Sequence, residues 1–140
     1  TLPYKNLTKK TNFNDKQAIY LQIADFVCDK ILTEEWRHED KIPSVRDLAI
    51  ELQVNPNTVM RAYEYLQQLE VIYNKRGIGH HVAPDANEII SGFRKQLFFE
   101  NELPQLFKNL EMLNISFAEI QIHFENYLKT SEIARNENKQ

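Results

Sequence analysis

Cysteine is almost absent from this 140-residue sequence, since Cys28 is the only one. A single cysteine cannot form an internal disulfide, so no disulfide framework is expected. Cys28 stands close to Ile23, Phe26 and Val27. These apolar neighbours favour a buried small side chain over a reactive thiol.

Long apolar runs are also absent, and none approaches the roughly 18 residues that a membrane span requires. The first ten residues, TLPYKNLTKK, lack the apolar segment of a signal peptide. Hydrophobic residues make up 42% of the sequence and charged residues 26%, close to the average of globular proteins. We therefore expect a cytoplasmic protein with one compact domain and an appendage, or with two very small domains.

Motifs that would indicate an enzyme are missing. The sequence has no phosphate loop, no nucleophile elbow and no pair of carboxylates placed by a turn. His80 and His81 are adjacent, so in a strand they face opposite sides and cannot bind one metal ion together. His38 and His123 are isolated from each other and belong to no recognisable metal-binding motif. We expect no catalytic residue, no metal and no cofactor.

An excess of positive charge is missing as well, because the formal net charge is −3. Residues 1–84 carry 11 Lys and Arg against 11 Asp and Glu, and residues 85–140 carry 6 against 9. Bulk charge therefore does not indicate a polyanionic partner. Any basic surface that binds nucleic acid must be local.

Helical periodicity is present in the first half of the sequence. Residues 1–14 are polar and aperiodic, which predicts an arm, and a helical pattern then runs from Asp15 to about Trp36. Ser44 is suited to cap a second helix, with Asp47 near its positive end. The apolar positions of this second helix lie on one face: Val45, Leu48, Ala49 and Leu52.

The third helix follows a short turn at Gln53 and Val54, with Asn55 as its predicted cap and Pro56 at its first position. It has two distinct faces. The apolar face consists of Val59, Ala62, Tyr63, Leu66 and Leu69. The polar face consists of Asn57, Thr58, Arg61, Glu64, Tyr65 and Gln68.

Two short β-prone runs, VIYN and HHVAP, come next and are joined by KRGIG, which predicts a hairpin. Helix, helix, turn, helix and hairpin is the order of a winged helix-turn-helix. In that fold the second helix of the turn motif enters the major groove and contacts base edges from its N-terminal residues. Small polar side chains and free backbone N–H groups at a helix start suit base edges and phosphates.

The stretch KIPSVRDLAIELQVNPNTVMRAYEYLQQLEVIYNKRGIGHHV, residues 41–82, resembles the DNA-binding domain of the GntR family of bacterial transcription regulators. The helical tail is similar to that of the YtrA subfamily, which has a small two-helix dimerisation domain. The resemblance implies a homodimer that binds a pseudo-palindromic operator in double-stranded DNA, usually as a repressor. It also implies a link to ABC-transporter genes, which YtrA-like regulators often accompany.

Seven residues match DNA-contacting positions of the family: Arg46, Asn55, Asn57, Thr58, Arg61, Arg76 and Gly77. Ser44 at the start of the second helix and Lys75 at the hairpin tip complete the predicted DNA-binding set. The sequence departs from the family pattern at three points. Gln53 and Glu70 replace usual glycines, and HHV replaces the usual ending of the wing.

The C-terminal part, residues 85–140, is predicted to form an α-helical dimerisation domain with a polar tail, following a winged helix-turn-helix domain over residues 1–84. Ser116 opens one of its helices as part of a capping box with Glu119. The predicted dimer contacts are Phe93, Leu97, Leu106, Leu110, Phe117 and Phe124. The aromatic residues also permit a ligand pocket, but about fifty residues are too few to enclose a sizeable cavity.

The fold class predicted is thus mainly α with a small β-hairpin wing. The function predicted is sequence-specific transcription regulation, with any effector ligand unknown and not held in a large pocket. A protein-interaction winged helix is the alternative, because the charge of residues 1–84 is balanced. The arginines at positions 46, 61 and 76, on three separate elements, favour DNA instead.

Overall fold

The computed structural model describes residues 17–139 of the chain. In chain order these residues form α1 (Ile19–Leu32), α2 (Val45–Leu52), α3 (Pro56–Gln68), β1 (Ile72–Lys75), β2 (Gly79–Val82), α4 (Ala86–Leu97), a π-helical segment (Phe98–Glu102), α5 (Leu103–Met112) and α6 (Phe117–Asn138). The predicted fold class, mainly helical with a small hairpin, is confirmed. The predicted arm and the predicted helix start at Asp15 lie outside the described residues.

The helix starts agree with the predicted caps. The Ser44 hydroxyl accepts a hydrogen bond from the Asp47 backbone N–H at 3.1 Å, and the Asn55 side-chain oxygen accepts one from the Asn57 N–H at 2.8 Å. The helix ends carry two of the three departures from the family pattern. Gln53 ends α2 with φ 57°, and Glu70 follows α3 with φ 64°. This left-handed conformation costs a non-glycine residue about 1–2 kcal/mol.

The chain divides into two compact units, one ending at Phe98 and one comprising Phe99–Gln140. The sequence predicted a division after Pro84, fourteen residues earlier. The difference is α4, which packs on α1. Ala86 and Ile90 on α4 are buried in the first core, and Phe93 is half-buried against it. Apolar burial therefore keeps α4 with the first unit.

The core of the first unit lies between α1, α2, α3, the hairpin and α4. Its fully buried side chains include Ile23, Val27, Leu48, Val59, Tyr63, Leu66, Val71, Val82 and Ile90. The predicted apolar faces of α2 and α3 are therefore confirmed as core. Cys28 is also buried, as predicted, and desolvation raises the pKa of its thiol to about 12. The thiol thus stays protonated at neutral pH.

The hairpin pairs β1 and β2 in antiparallel register, from Ile72 opposite Val82 to Lys75 opposite Gly79. His80 and His81 face opposite sides, as predicted. The His80 ring contacts Tyr63 on α3, with ring centroids 4.8 Å apart, whereas the His81 ring stacks on Tyr73. Lys41 forms an isolated bridge with His81 and so joins the segment before α2 to the hairpin.

The second unit contains α5, α6 and most of the π-helical segment, and none of their described residues is buried. The Ser116 hydroxyl accepts a hydrogen bond from the Glu119 N–H at 3.2 Å and caps α6, as predicted. Large apolar side chains on α6 are exposed, including Phe117, Phe124 and Tyr127. Within the described part of the chain, no helix combines the length and apolar character needed to cross a membrane.

Tyr63 connects α3, the segment before α2, and the hairpin. Its ring belongs to α3 and is only 1% exposed. Its hydroxyl donates a hydrogen bond of 2.7 Å to the carbonyl of Pro43, just before α2, and its ring meets His80 of β2 edge to face. Desolvation and the nearby Glu51 and Asp47 carboxylates raise the pKa of Tyr63, so its hydroxyl remains a donor.

Asp25 is a buried carboxyl between α1 and α4. Its Oδ1 lies 3.8 Å from Nη2 of Arg94, and Arg94 Nη1 donates a hydrogen bond of 2.9 Å to Asp29 Oδ1. Desolvation raises the pKa of Asp25 to about 8; Arg94 lowers it and Asp29 raises it by smaller amounts. Arg94 thus links α4 to α1 through Asp29 and lies beside the buried Asp25 carboxyl.

The raised pKa of Asp25 makes stability depend on pH. Between 3.8 and about 8 the folded chain holds a proton that the unfolded chain releases. The Asp25 contribution to the free energy of unfolding is therefore complete below pH 3.8 and is lost as the pH rises through about 8. Asp25→Asn should reduce this decline, measured by chemical denaturation across that range. The exposed Asp85→Asn should keep the wild-type slope, and an equal slope in all three proteins would refute the assignment.

The Tyr63 hydrogen bond gives a second stability prediction. Tyr63→Phe keeps the ring but leaves the Pro43 carbonyl without this donor, which should lower the free energy of unfolding by about 1–3 kcal/mol. Tyr73→Phe is the matched control, because the Tyr73 hydroxyl donates to Glu39 in an exposed hydrogen bond of 2.9 Å. The control should change stability little. Equal losses in the two variants, measured by urea denaturation, would contradict a special role for Tyr63.

Candidate nucleic-acid interface

The start of α3 is a polar, accessible helix end. Asn55, Pro56 and Asn57 are exposed and Thr58 is half-buried. Asn55 uses its side-chain oxygen to cap the helix, while Pro56 at the first position has no N–H to satisfy. Because the cap holds this end in shape, the Asn57 and Thr58 side chains project from a defined backbone. Such an end suits an anion or a base edge.

The start of α2 supplies two more predicted residues. Ser44 is exposed, and its hydroxyl caps the helix through Asp47. Arg46 lies in the first turn of α2 and is exposed. Leu48 and Ala49 bury the opposite side of the same short helix. The position of Arg46 is therefore determined by a helix that is anchored on its other face.

Arg61 is placed differently from the simple exposed side chain that the sequence predicts. It lies one turn beyond Asn57 on α3, and its guanidinium carbon is 4.0 Å from the ring centroid of Tyr20 on α1. Tyr20 in turn meets Tyr65 edge to face, with centroids 6.1 Å apart. Tyr65, which the sequence places on the polar face of α3, is half-buried and packs against the core.

Tyr20 is the residue that sequence reasoning missed. It is half-buried and packs against the core beside α3. The available signal was an aromatic residue within the predicted first helix. That signal does not identify a contact partner, because Arg61 is 41 positions away in the sequence.

The wing tip is a tight turn with two basic side chains. The Ile78 N–H donates to the Lys75 carbonyl at 2.9 Å, and Gly77 has φ 80°. These features match a type II turn, whose third residue requires a positive φ. Lys75, Arg76 and Gly77 are all exposed. No atom lies within 4 Å of a Cβ built on Gly77, so the backbone there is open to a partner.

The six predicted dimer residues fall in both units. Phe93 and Leu97 lie on α4 in the first unit and are half-buried. Leu106, Leu110, Phe117 and Phe124 lie in the second unit. Phe117 and Phe124 are 71% and 57% exposed, which leaves apolar surface without cover within the chain described.

A small cavity of about 300 Å³ lies near the end of α1 and the start of α4. It is lined by Ile31, Glu34, Arg37, His38 and Asn87. Four of these five residues are exposed, so it is a surface depression. Across residues 17–139, no cluster of three or more histidine, cysteine or acidic side chains has the arrangement of a metal site.

The chain is similar to known proteins over the helices and the hairpin that carry the predicted DNA-contacting residues. The family described as "Bacterial regulatory proteins, gntR family" matches residues 19–82, from the start of α1 to the end of β2. The chain is 36% identical over 96 residues to the HTH-type transcriptional regulator YhcF of Bacillus subtilis, which covers 61% of this chain and 79% of YhcF. It is 35% identical over 89 residues to the HTH-type transcriptional repressor YtrA of the same bacterium, covering 63% and 67%.

A solved structure has the same fold over most of its length. The crystal structure of a GntR-family transcriptional regulator from Bacteroides thetaiotaomicron is 48% identical to this chain, with a TM-score of 0.74. The similarity covers 81% of this chain and 99% of that one. The matched family segment contains every residue predicted to contact DNA. The chain therefore belongs to the gntR family of bacterial regulatory proteins, as a transcription regulator with a winged helix-turn-helix domain.

Proposed function

We propose that this chain is a homodimeric repressor that binds a pseudo-palindromic operator in double-stranded DNA in the bacterial cytoplasm. The observation that carries the proposal is the exposed, capped and polar start of α3, where the Asn57 side chain is exposed and Thr58 follows it on the helix. A helix start of this kind enters the major groove in helix-turn-helix proteins.

The electrostatics of the interface support the proposal locally. Arg46 and Arg61 are exposed on α2 and α3, and the positive end of the α3 dipole lies beside Asn57. Asp47, in the first turn of α2, is an acidic residue next to Arg46 in the sequence. Basic side chains that could contact phosphates are thus present on α2 and α3, although residues 1–84 carry no net charge.

The wing supplies a second contact region. Lys75 and Arg76 are the first two residues of the turn. Gly77, the third, has no side chain, so the backbone there can approach a partner closely. We assign Lys75 and Arg76 to phosphates or to the adjacent minor groove. Exposed side chains on a two-stranded hairpin move more than those on a packed helix, so these contacts are expected to add affinity rather than sequence preference.

Homodimer formation is supported by the second unit. Its helices bury no described residue, although Phe117, Phe124 and Leu128 are large and apolar. Apolar surface of this kind is favourably covered by another copy of the same helices. Leu106 and Leu110 on α5 are assigned to the same interface. Phe93 and Leu97 have a smaller share, because α4 already packs on α1.

Repression is the sign of regulation that we propose, because the relative YtrA is named a transcriptional repressor. A dimer on a pseudo-palindrome presents two α3 helices to major grooves about one helical turn apart or a multiple of it. The second candidate function is a protein-interaction winged helix. It is favoured by the balance of 11 basic and 11 acidic residues over residues 1–84.

The DNA proposal is tested by selecting duplexes from a random library and measuring affinity at several salt concentrations. The logarithm of affinity should fall with the logarithm of salt, with a slope near −0.9 per phosphate neutralised. Arg61→Ala should weaken binding to the selected duplex by about 1–3 kcal/mol and reduce the sequence preference at one base pair. Arg76→Ala should weaken binding to all duplexes by similar amounts and reduce the dependence of affinity on salt concentration.

Two results would count against these assignments. If no duplex is enriched at low salt, the protein-interaction alternative is favoured. If Arg61→Ala weakens binding to selected and scrambled duplexes equally, Arg61 contacts phosphate. Base recognition is then assigned to Asn57, Thr58 and Arg46. A thermal melt of each variant ensures that a loss of binding is not a loss of folding.

The dimer is tested by placing charge on α6. The double change Phe117→Glu and Phe124→Glu should convert the dimer to a monomer, because two carboxylates would have to be buried in the interface. Lys129→Glu is the control, since it also adds negative charge to an exposed position of α6. Sedimentation velocity measures the outcome. A double variant that remains dimeric would place the interface outside these α6 positions.

A further inference from the structure

Three side chains from two helices form a small cluster beside the exposed part of α3. Tyr20 is in the first turn of α1, and Arg61 and Tyr65 are one turn apart on α3. The Arg61 guanidinium lies 4.0 Å from the centre of the Tyr20 ring. The Tyr65 ring meets the Tyr20 ring at 80°, with centroids 6.1 Å apart. The Tyr20 ring is therefore in contact with α3 through both of these residues.

This arrangement restricts the Arg61 side chain. An exposed arginine has four rotatable side-chain bonds, and a partner that binds it must pay the entropy of holding one conformer. A cation over an aromatic face is attracted by the ring quadrupole. Tyr20 itself has little freedom, because it is half-buried and packs against the core. One conformer of Arg61 is thus favoured before any partner arrives.

We infer that Tyr20 is a positioning residue for the DNA contact of Arg61, holding the guanidinium in its binding conformation through its ring face. The inference rests on the DNA binding proposed above. It gives the first helix, which presents no predicted DNA contact, an indirect part in the interface. The Tyr20 ring acts through Arg61, so its effect on binding requires that Arg61 be present.

A double-mutant cycle tests this requirement on the full chain, with the duplex selected by the wild-type protein. Tyr20→Leu should weaken binding about two- to tenfold, the cost of ordering one long side chain. Tyr20→Phe keeps the ring and should bind like the wild type. In the Arg61→Ala background, Tyr20→Leu should cause no further loss, so the two changes should be strongly non-additive.

The alternative outcomes are distinct. Additive losses from Tyr20→Leu and Arg61→Ala would overturn the inference, because Tyr20 would then act without Arg61. A loss in Tyr20→Phe equal to that in Tyr20→Leu would also overturn it, since the hydroxyl rather than the ring would be responsible. A wild-type chain that selects no duplex would instead remove the proposed function on which the cycle depends.

A second measurement needs no folded leucine variant. Side-chain NMR relaxation of the arginine Nε–H groups in the free wild-type protein reports motion on the picosecond-to-nanosecond scale. Arg61 should be more ordered than Arg46, which is also exposed on a helix of the same unit. In Tyr20→Phe the order of Arg61 should persist. Equal mobility of Arg61 and Arg46 in the wild-type protein would overturn the inference.

Discussion

The hydrogen bond from the Tyr63 hydroxyl to the Pro43 carbonyl is the contact on which the geometry of the first unit depends. It joins α3 to the residue that leads into Ser44, the cap of α2, at a distance of 2.7 Å. The same ring meets His80 on β2. Desolvation and the neighbouring His81 lower the pKa of His80, so this imidazole is neutral at neutral pH and packs without adding charge to the core. A single buried side chain thus sets the relation between two helices and the wing.

Near this contact, polar side chains cap the N-terminal ends of α2 and α3. Ser44 and Asn55 each satisfy a backbone N–H at the start of a helix. These are also residues that the family resemblance or their location assigns to DNA contact. The two roles are compatible, because capping uses each side-chain oxygen as an acceptor and leaves the Ser44 hydroxyl proton and the Asn55 amide NH₂ group as donors. Stability and recognition therefore share the same short segments.

Much of the fold was predictable because it depends on local signals. Caps at Ser44 and Asn55, the apolar faces of α2 and α3, and the Gly77 turn are all encoded within a few residues of where they act. The contacts that were not predicted join distant positions. Tyr20 meets Arg61, and Arg94 meets Asp29, through packing of α1 against α3 and α4. Periodicity reports which face is apolar, but not which helix will cover it.

The same limit explains the difference in unit boundaries. The change of composition after Pro84 marks the end of the hairpin, whereas the burial of Ile90 on α4 is a tertiary fact. The predicted DNA-contacting residues lie at the helix starts and the turn, where local chemistry is informative. Their contacts with DNA stay predictions, as do those of the dimer residues on α5 and α6.

Two non-glycine residues in left-handed conformation stand on either side of α3, Gln53 before it and Glu70 after it. Each carries a conformational cost that a glycine would not have, about 1–2 kcal/mol. Glycine at either position is therefore expected to raise the free energy of unfolding of the unit that contains α3. In an evolving lineage, a glycine at either position would offset the destabilisation that substitutions on the exposed face of α3 bring. The departures from the family pattern thus bear on how readily the exposed face of α3 can accept new side chains.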